Sequence, residues 1–310
     1  MNNPLDILSY EERISLLLRS MYQSAGYRQY KMSKFEEYDL YVANKDFLLS
    51  ENVITFTDTD GKLLALKPDV TLSIIKNSKD EPDSQMKVYY NESVYRVAKG
   101  TRFFKEFTQV GLECLGKVDR ELTLEVLALA SKSLSLISEE CVLEISDLDI
   151  VSSVLDASGV SLDERIDFLS ALGEKNLGRI REIIKNNEIC EPFASRLLRL
   201  STLYGDIKDV ASELEFFALD ANTAGKVEDF KALLSSLDAA GLSSRVVVDF
   251  SVVNNMNYYS GISFKGFVNG IPTGVLGGGR YDKLMRKMNK RSSAIGFAVY
   301  LDELSRLSEV

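Results

Sequence analysis

The chain has 310 residues, which suits one large domain with an insertion or two domains. Hydrophobic residues make up 45% and charged residues 27% of it, a composition that excludes a mostly disordered chain. The absence of histidine excludes catalytic triads and metal sites built on imidazole, and a net charge of −9 disfavours sequence-independent nucleic-acid binding. Apolar runs are too short for a membrane helix. The three separated cysteines match neither a disulfide framework nor a zinc site, so we expect a cytoplasmic protein.

The first third of the chain is predicted to be one helix followed by short strands. Apolar residues recur at helical spacing over residues 4–26, and Gly26 ends that pattern. From there to Gly116 short runs typical of β-strands predominate, and residues 58–61 carry the signal of a hairpin turn. Pro68 predicts the start of a short helix that runs to Ile75.

The remaining elements predict a helical segment between two β-rich ones. A helix is expected over residues 118–138 and a strand over 141–145, and helices then fill most of 151–242. Strands return after residue 243. This order predicts an α+β fold with an antiparallel sheet flanked by helices. We expect residues 1–150 and 243–310 to form one discontinuous core, with 151–242 as a helical insertion.

A run of three glycines, residues 277–279, precedes Arg280, Tyr281 and Asp282. Glycine lets a backbone approach a ligand or another strand closely. The spacing matches neither a P-loop nor a dinucleotide-binding motif. Two interpretations stay open: a ligand site, or a tight turn at a sheet edge.

Residues 105–113 alternate as a strand does, which places Phe107, Gln109, Gly111 and Glu113 on one face. Such a face suits a small polar, cationic ligand, or else it faces solvent. Upstream, Asp69 and Thr71 could receive an amino group, or could simply cap a helix.

Two further segments carry polar groups with open roles. Tyr258 and Tyr259 are predicted on a strand, where their rings would point to opposite faces and at most one hydroxyl would meet a ligand. The basic residues Arg96, Arg102 and Lys105 surround a predicted hairpin tip. They indicate either an exposed tip or a contact with phosphate or a partner.

Four segments, in this order along the chain, resemble the core of the class II aminoacyl-tRNA synthetases in its histidyl branch. They are residues 64–71, Arg96 with 105–113, 257–261, and 278–304. The resemblance covers the chain apart from the helical insertion. It implies the fold of that core and a self-dimer formed through residues 27–36.

Several positions depart from the synthetase pattern. Asn254 and Glu303 stand where that branch has the arginines needed for activation and for clamping ATP phosphate. A carboxylate repels a triphosphate, and arginine is not interchangeable with asparagine at such a clamp. Motif 2 lacks its glutamate after Arg96, and Ser33 replaces the proline of motif 1. The chain also ends where synthetases continue into an anticodon-binding domain. The departures imply no catalytic residue, no cofactor or metal, and no tRNA.

The amino-acid pocket, by contrast, keeps suitable chemistry, and this combination resembles the regulatory subunits of ATP phosphoribosyltransferase. The resemblance implies that Asp69, Thr71 and Gln109 hold an α-amino group, that Glu113 and Tyr259 read an imidazole, and that Tyr258 lines the pocket. It implies a non-enzymatic subunit for the first step of histidine biosynthesis, in a hetero-octamer with a short catalytic subunit and with histidine as feedback inhibitor. The alternative is a synthetase paralog, active or degenerate, that activates an amino acid with ATP.

Overall fold

The computed structural model describes residues 7–48, 52–98, 101–253 and 258–307. Within them, nine strands form a large sheet in the order β1-β5-β6-β12-β11-β10-β7-β9-β8. These strands are β1 (Arg28–Gln29), β5 (Gln85–Val97), β6 (Phe104–Gly116), β7 (Cys141–Asp147), β8 (Tyr204–Asp206), β9 (Val246–Asp249), β10 (Ile262–Val268), β11 (Leu276–Arg280) and β12 (Ser293–Tyr300). A small sheet has the order β2-β4-β3, from β2 (Phe35–Glu37), β3 (Thr55–Thr57) and β4 (Leu63–Leu66).

The large sheet is antiparallel through its centre and mixed towards its ends. Strand β1 pairs with β5 in parallel, and β7 pairs with β9 in parallel. All the pairings from β5 through β12, β11 and β10 to β7 are antiparallel. The predicted α+β class is therefore confirmed, with two parallel pairings that the sequence did not indicate.

Helices flank the sheet. They are α1 (Tyr10–Ser24), α2 (Tyr38–Ala43), α3 (Val70–Asn77), α4 (Arg120–Ile137), α5 (Leu148–Ser158), α6 (Leu162–Gly173), α7 (Leu177–Asn186), α8 (Phe193–Thr202), α9 (Ile207–Glu213), α10 (Ala221–Ala239), α11 (Asp282–Lys287) and α12 (Leu301–Leu304). Buried residues of the helical segment, such as Phe168 and Phe230, belong to the same apolar cluster as Leu143 of the sheet. The division into a core and an insertion stays a prediction.

Helix α1 begins later than its apolar pattern predicts. Ser9 is the N-cap residue, and its side chain and that of Glu12 cap each other's backbone N–H groups. This reciprocal cap fixes the start at Tyr10, whereas residues 4–6 of the predicted helix lie outside the described residues. The predicted hairpin turn is confirmed: Asp58 Oδ1 accepts from the backbone N–H groups of Asp60 and Lys62, and Gly61 has a φ of +82°.

The two faces of the large sheet bury different kinds of side chain. On β6, Val110, Leu112 and Cys114 belong to the larger apolar cluster beneath the helices. The alternate residues point to the opposite face, where a smaller cluster includes Leu72 and Tyr90. This second face carries the candidate site, because its central positions are glycine and polar residues instead of large apolar ones.

Candidate functional site

The floor of the candidate pocket is a patch of very small residues at the centre of the large sheet. Gly111, Ala298 and Gly277 are neighbours across β6, β12 and β11, and the next row continues from Gly296 to Gly279. Side chains on these strands would otherwise fill the space above the sheet. Their absence leaves a cavity of about 250 Å³.

The glycines admit the polar groups of the pocket by close approach. A Cβ atom at position 296 would lie 1.8 Å from Oε2 of Glu113, and one at position 279 would lie 2.7 Å from the ring of Tyr259. The triple-glycine segment lies inside β11, at the middle of the large sheet. The interpretation as a turn at a sheet edge is therefore wrong, because β11 is a strand that pairs with β10 on one side and with β12 on the other.

Glu113 lies at one end of the cavity and is 2% exposed. Its two carboxyl oxygens accept hydrogen bonds from the Thr71 hydroxyl, at 2.7 Å, and from the Tyr281 hydroxyl, at 2.6 Å. No Lys or Arg of the described residues lies within 4 Å of this carboxyl. Burial raises its pKa to about 8 despite these two hydrogen bonds, so Glu113 carries a proton at neutral pH. The interpretation of this strand face as solvent-exposed is wrong.

Asp69 lies at the start of α3 and has two roles at once. Its Oδ1 accepts from the backbone N–H of Leu72 at 2.9 Å, the helix cap that the sequence left open. Its Oδ2 lies 4.0 Å from the guanidinium of Arg96, and the residue lines the cavity. Burial raises the pKa of Asp69, and the nearby Arg96 opposes that shift. Capping and ligand contact are therefore compatible here.

Gln109 lines the same cavity and is 5% exposed. Its side-chain amide makes no hydrogen bond with the part of the chain that the structure describes. Its amide atoms are not among the buried, unpaired polar atoms of the described residues, so the amide is accessible from the cavity. Gln109 therefore presents both a donor and an acceptor to whatever occupies the cavity.

Tyr258 and Tyr259 both line the cavity, which contradicts the expectation that their rings face opposite ways. Their ring centroids lie 4.7 Å apart. The alternation rule fails because β10 begins only at Ile262, so the pair lies in the connection before the strand. Tyr258 also packs against Phe47 and Tyr281, at centroid distances of 6.2 and 5.9 Å.

The three basic residues of the predicted hairpin separate in the structure. Arg96 lines the cavity, and its Nε donates to the Pro68 carbonyl at 2.6 Å. Arg102 and Lys105 are exposed near the hairpin tip and do not line the cavity. The Lys105 ammonium lies 5.6 Å from the centre of the Phe107 ring. Only Arg96 can act inside the pocket, while a partner contact by the other two stays a prediction.

Of the two positions where the synthetase pattern has arginines, one lies within the described residues. Glu303 accepts a hydrogen bond from the Thr273 hydroxyl at 2.7 Å and forms an ion pair with Arg306 at 3.3 Å. It does not line the cavity. Asn254 lies outside the described residues.

Sequence reasoning missed several side chains of the cavity wall, among them Tyr90, Lys265 and Tyr300. The Tyr90 ring crosses the sheet over Gly111, where a Cβ atom would lie 2.5 Å from its hydroxyl oxygen. Lys265 lies beside Gly277 on the neighbouring strand, and Tyr300 lies beside Gln109. Only the pairing of strands distant in sequence brings these residues to the cavity, so no local signal could have identified them.

Two searches of the described residues gave negative findings. No described helix is both long and apolar enough to span a bilayer. The described residues also hold no cluster of three or more cysteine, aspartate or glutamate side chains arranged to bind a metal ion.

Comparison with known proteins places the chain in a family. The profile of the family described as histidyl-tRNA synthetase matches residues 6–304. The ATP phosphoribosyltransferase regulatory subunit of Caldanaerobacter subterraneus subsp. tengcongensis is 31% identical, over 95% of this chain and 78% of that protein. The chain belongs to the ATP phosphoribosyltransferase regulatory subunits, within the histidyl-tRNA synthetase family.

A second relative and a solved structure agree with this family. The regulatory subunit of Ruminiclostridium cellulolyticum is 28% identical over 97% of this chain and 73% of that protein. A Bacillus halodurans protein described as an ATP phosphoribosyltransferase regulatory subunit/histidyl-tRNA synthetase superposes with a TM-score of 0.83. It is 24% identical and covers 99% of this chain and 83% of its own, so it shows the shared fold. The predicted family, fold and regulatory rather than catalytic character are confirmed.

Proposed function

We propose that this regulatory subunit binds histidine in the pocket described above and reports its presence to a catalytic chain of ATP phosphoribosyltransferase. In this role the chain takes part in the first step of histidine biosynthesis and carries feedback inhibition. The single observation that supports the proposal best is the buried carboxyl of Glu113, which has hydrogen-bond donors but no cation beside it. A ligand with a cationic imidazole supplies the missing partner.

The electrostatics of the pocket suit that ligand. A buried carboxyl without a counter-ion takes up a proton, whereas one that faces a cation stays ionised. When an imidazole enters, the proton held by Glu113 can move to the ring, and the product is a buried carboxylate–imidazolium pair. Such charge-assisted hydrogen bonds are short and about twice as strong as neutral ones. Tyr259, on the neighbouring wall, is positioned beside the same ring.

The other end of the ligand is matched by different groups. Asp69 offers a carboxylate oxygen to an α-ammonium, and the Gln109 amide oxygen is a second acceptor. The hydroxyl of Thr71 donates to Glu113, so it orients that carboxyl. Tyr258 packs beside Tyr259 and closes the wall. The residues that the resemblance assigned to histidine thus surround one cavity of suitable chemistry, and their role in binding is our proposal.

The assembly is also part of the proposal. The relatives' name, regulatory subunit, supports a catalytic partner chain, and we propose a hetero-octamer in which this chain forms self-dimers. We place the complex in the cytoplasm because Cys114, Cys141 and Cys190 are all free thiols, which a reducing compartment preserves.

Two assays with the purified chain test the proposal against a synthetase paralog. Calorimetric titration with L-histidine should give a saturable heat of binding. Histidine-dependent exchange between ATP and pyrophosphate should stay at background, because Glu303 lies where the synthetases have an arginine. Clear exchange turnover would contradict the regulatory role, and the absence of histidine binding would contradict sensing by this pocket.

A further inference from the structure

We propose that Lys265 forms the carboxylate subsite of this pocket, an inference that rests on the proposed function. An amino acid is a zwitterion, so a pocket that binds it through its cationic groups must also accommodate its carboxylate. The cavity is lined by two cations, Arg96 and Lys265. Arg96 is already engaged by the Pro68 carbonyl and lies near Asp69.

Lys265, in contrast, makes no close ion pair and no hydrogen bond within the part of the chain that the structure describes. Among the described residues its ammonium has no acidic partner within 4 Å and donates no hydrogen bond; its nearest aromatic contact is the Phe267 ring, at 5.0 Å from the centroid. Glu144 lies opposite Lys265 on β7; burial raises the pKa of that carboxyl and the Lys265 charge opposes the shift, but the two groups form no ion pair within 4 Å. A half-buried ammonium without a direct ion pair is attracted by an anion that enters the cavity.

The register of the sheet gives Lys265 its position. It lies directly beside Gly277, which is part of the cavity floor, on the side opposite to Tyr90 and Gly111. Its alkyl stem lies against Gly274, where a Cβ atom would be 2.3 Å from Cε. The stem is thus held by packing, and the ammonium group is free to turn towards the cavity. Glu113 on β6 and Lys265 on β10 thus line the cavity from different strands, so the imidazole and the carboxylate of one ligand can meet different groups.

Two buried hydroxyls, unpaired within the described residues, lie near Lys265 in the sheet, although neither residue lines the cavity. Ser263 lies two residues before Lys265 on the same face of β10 and is fully buried. Its partner on β7, Ser146, is fully buried as well. Neither hydroxyl has a hydrogen-bond partner in the described part of the chain. Buried polar groups of native proteins rarely stay unpaired without a ligand or ordered water nearby.

The experiment uses two ligands that differ only in the carboxylate. L-histidine and histamine share the imidazole and the amino group, and histamine lacks the carboxylate. Calorimetric titrations would compare the wild type with Lys265→Met, which keeps the aliphatic stem, and with Lys265→Arg, which keeps the charge. Lys132→Met removes the same charge from an exposed position of α4 outside the cavity and serves as the matched control. Thermal melts establish that each variant is folded.

We expect Lys265→Met to weaken L-histidine binding about 10- to 100-fold and to change histamine binding less than about 3-fold. Lys265→Arg should restore most of the histidine affinity, and Lys132→Met should match the wild type. Equal losses for both ligands, or no loss for histidine, would overturn the carboxylate subsite while the histidine pocket stands. A wild-type protein that binds neither ligand would overturn the proposed function itself.

Discussion

The hydroxyl of Tyr281 donates a hydrogen bond of 2.6 Å to Oε2 of Glu113, and both residues are buried. This contact joins the residue that follows β11 to the centre of β6 and holds the Glu113 carboxyl over the floor of the cavity. Because the pKa of Glu113 is about 8, the pocket stores one proton at neutral pH that an incoming imidazole can accept. Three of the predictions below depend on that proton or on that carboxyl.

The first prediction concerns stability. A carboxyl whose pKa rises from 4.5 in the unfolded chain to about 8 in the folded one binds more protons when folded at every pH between those values. Its contribution is therefore fully present below pH 4.5 and is lost as pH rises to about 8. Glu113→Gln, a neutral isostere, removes this loss. In urea unfolding, the free energy of unfolding of the variant should rise relative to that of the wild type by on the order of a few kcal/mol between pH 5 and pH 8.

The quantity to compare is the difference in unfolding free energy between the wild type and Glu113→Gln. Asp147, whose pKa burial raises to about 7, adds the same pH dependence to both proteins, so the difference cancels it. Glu106→Gln, at an exposed position of the same strand, is the control and should track the wild type. If Glu113→Gln instead tracks the wild type across this range, the buried carboxyl does not hold the proton.

The second prediction concerns the pH dependence of histidine binding. One proton is shared between Glu113 and the imidazole in the bound state. Below about pH 6.5 the free imidazole is already protonated, and binding must release a proton. Above about pH 8 Glu113 is ionised and the ring is neutral, so binding must take up a proton. Affinity should therefore be highest between these values when measured by calorimetry at pH 5.5, 7.2 and 9.

Glu113→Gln separates this cause from titration of the ligand's own amino group. The variant has no group at this position that ionises near pH 8, so its alkaline decline should begin at higher pH. Superimposable pH profiles for the two proteins would contradict the shared proton.

The third prediction concerns self-association. Phe35 and Phe56 lie on the same side of the small sheet, 45% and 39% exposed, with ring centroids 5.5 Å apart in an edge-to-face contact. Exposed aromatic pairs of this kind mark interaction surfaces. Phe35 also lies within residues 27–36, the stretch that resembles a dimer-forming motif. We expect light scattering to give a dimer and Phe56→Glu to shift it towards monomer.

Phe103→Glu is the matched control for this surface. It places the same charge on an aromatic that is 79% exposed near the tip of the hairpin between β5 and β6 and is not part of the small sheet. It should leave the dimer intact. A wild-type chain that is monomeric at micromolar concentration would contradict the interface.

The sequence predicted the local features of the site better than its assembly. Alternation along β6 correctly placed Gln109 and Glu113 on one face, since that periodicity is local. The position of the triple glycine could not be decided, because only its pairing with β10 and β12 shows that it lies at the centre of a sheet. The same long-range register brings Lys265 to the cavity. The tyrosine pair was misjudged because β10 begins three residues after Tyr259.

The central claim is that this pocket, in this chain, binds histidine through Glu113 and Asp69. The most direct measurement is calorimetric titration of L-histidine into the wild type, Glu113→Ala and Asp69→Ala, each shown to be folded. Since each variant removes one charge-assisted contact worth about 1.5–3 kcal/mol, affinity should fall about 10- to 100-fold in both. If both variants bind histidine as tightly as the wild type does, the effector site lies elsewhere and the account of this pocket is wrong.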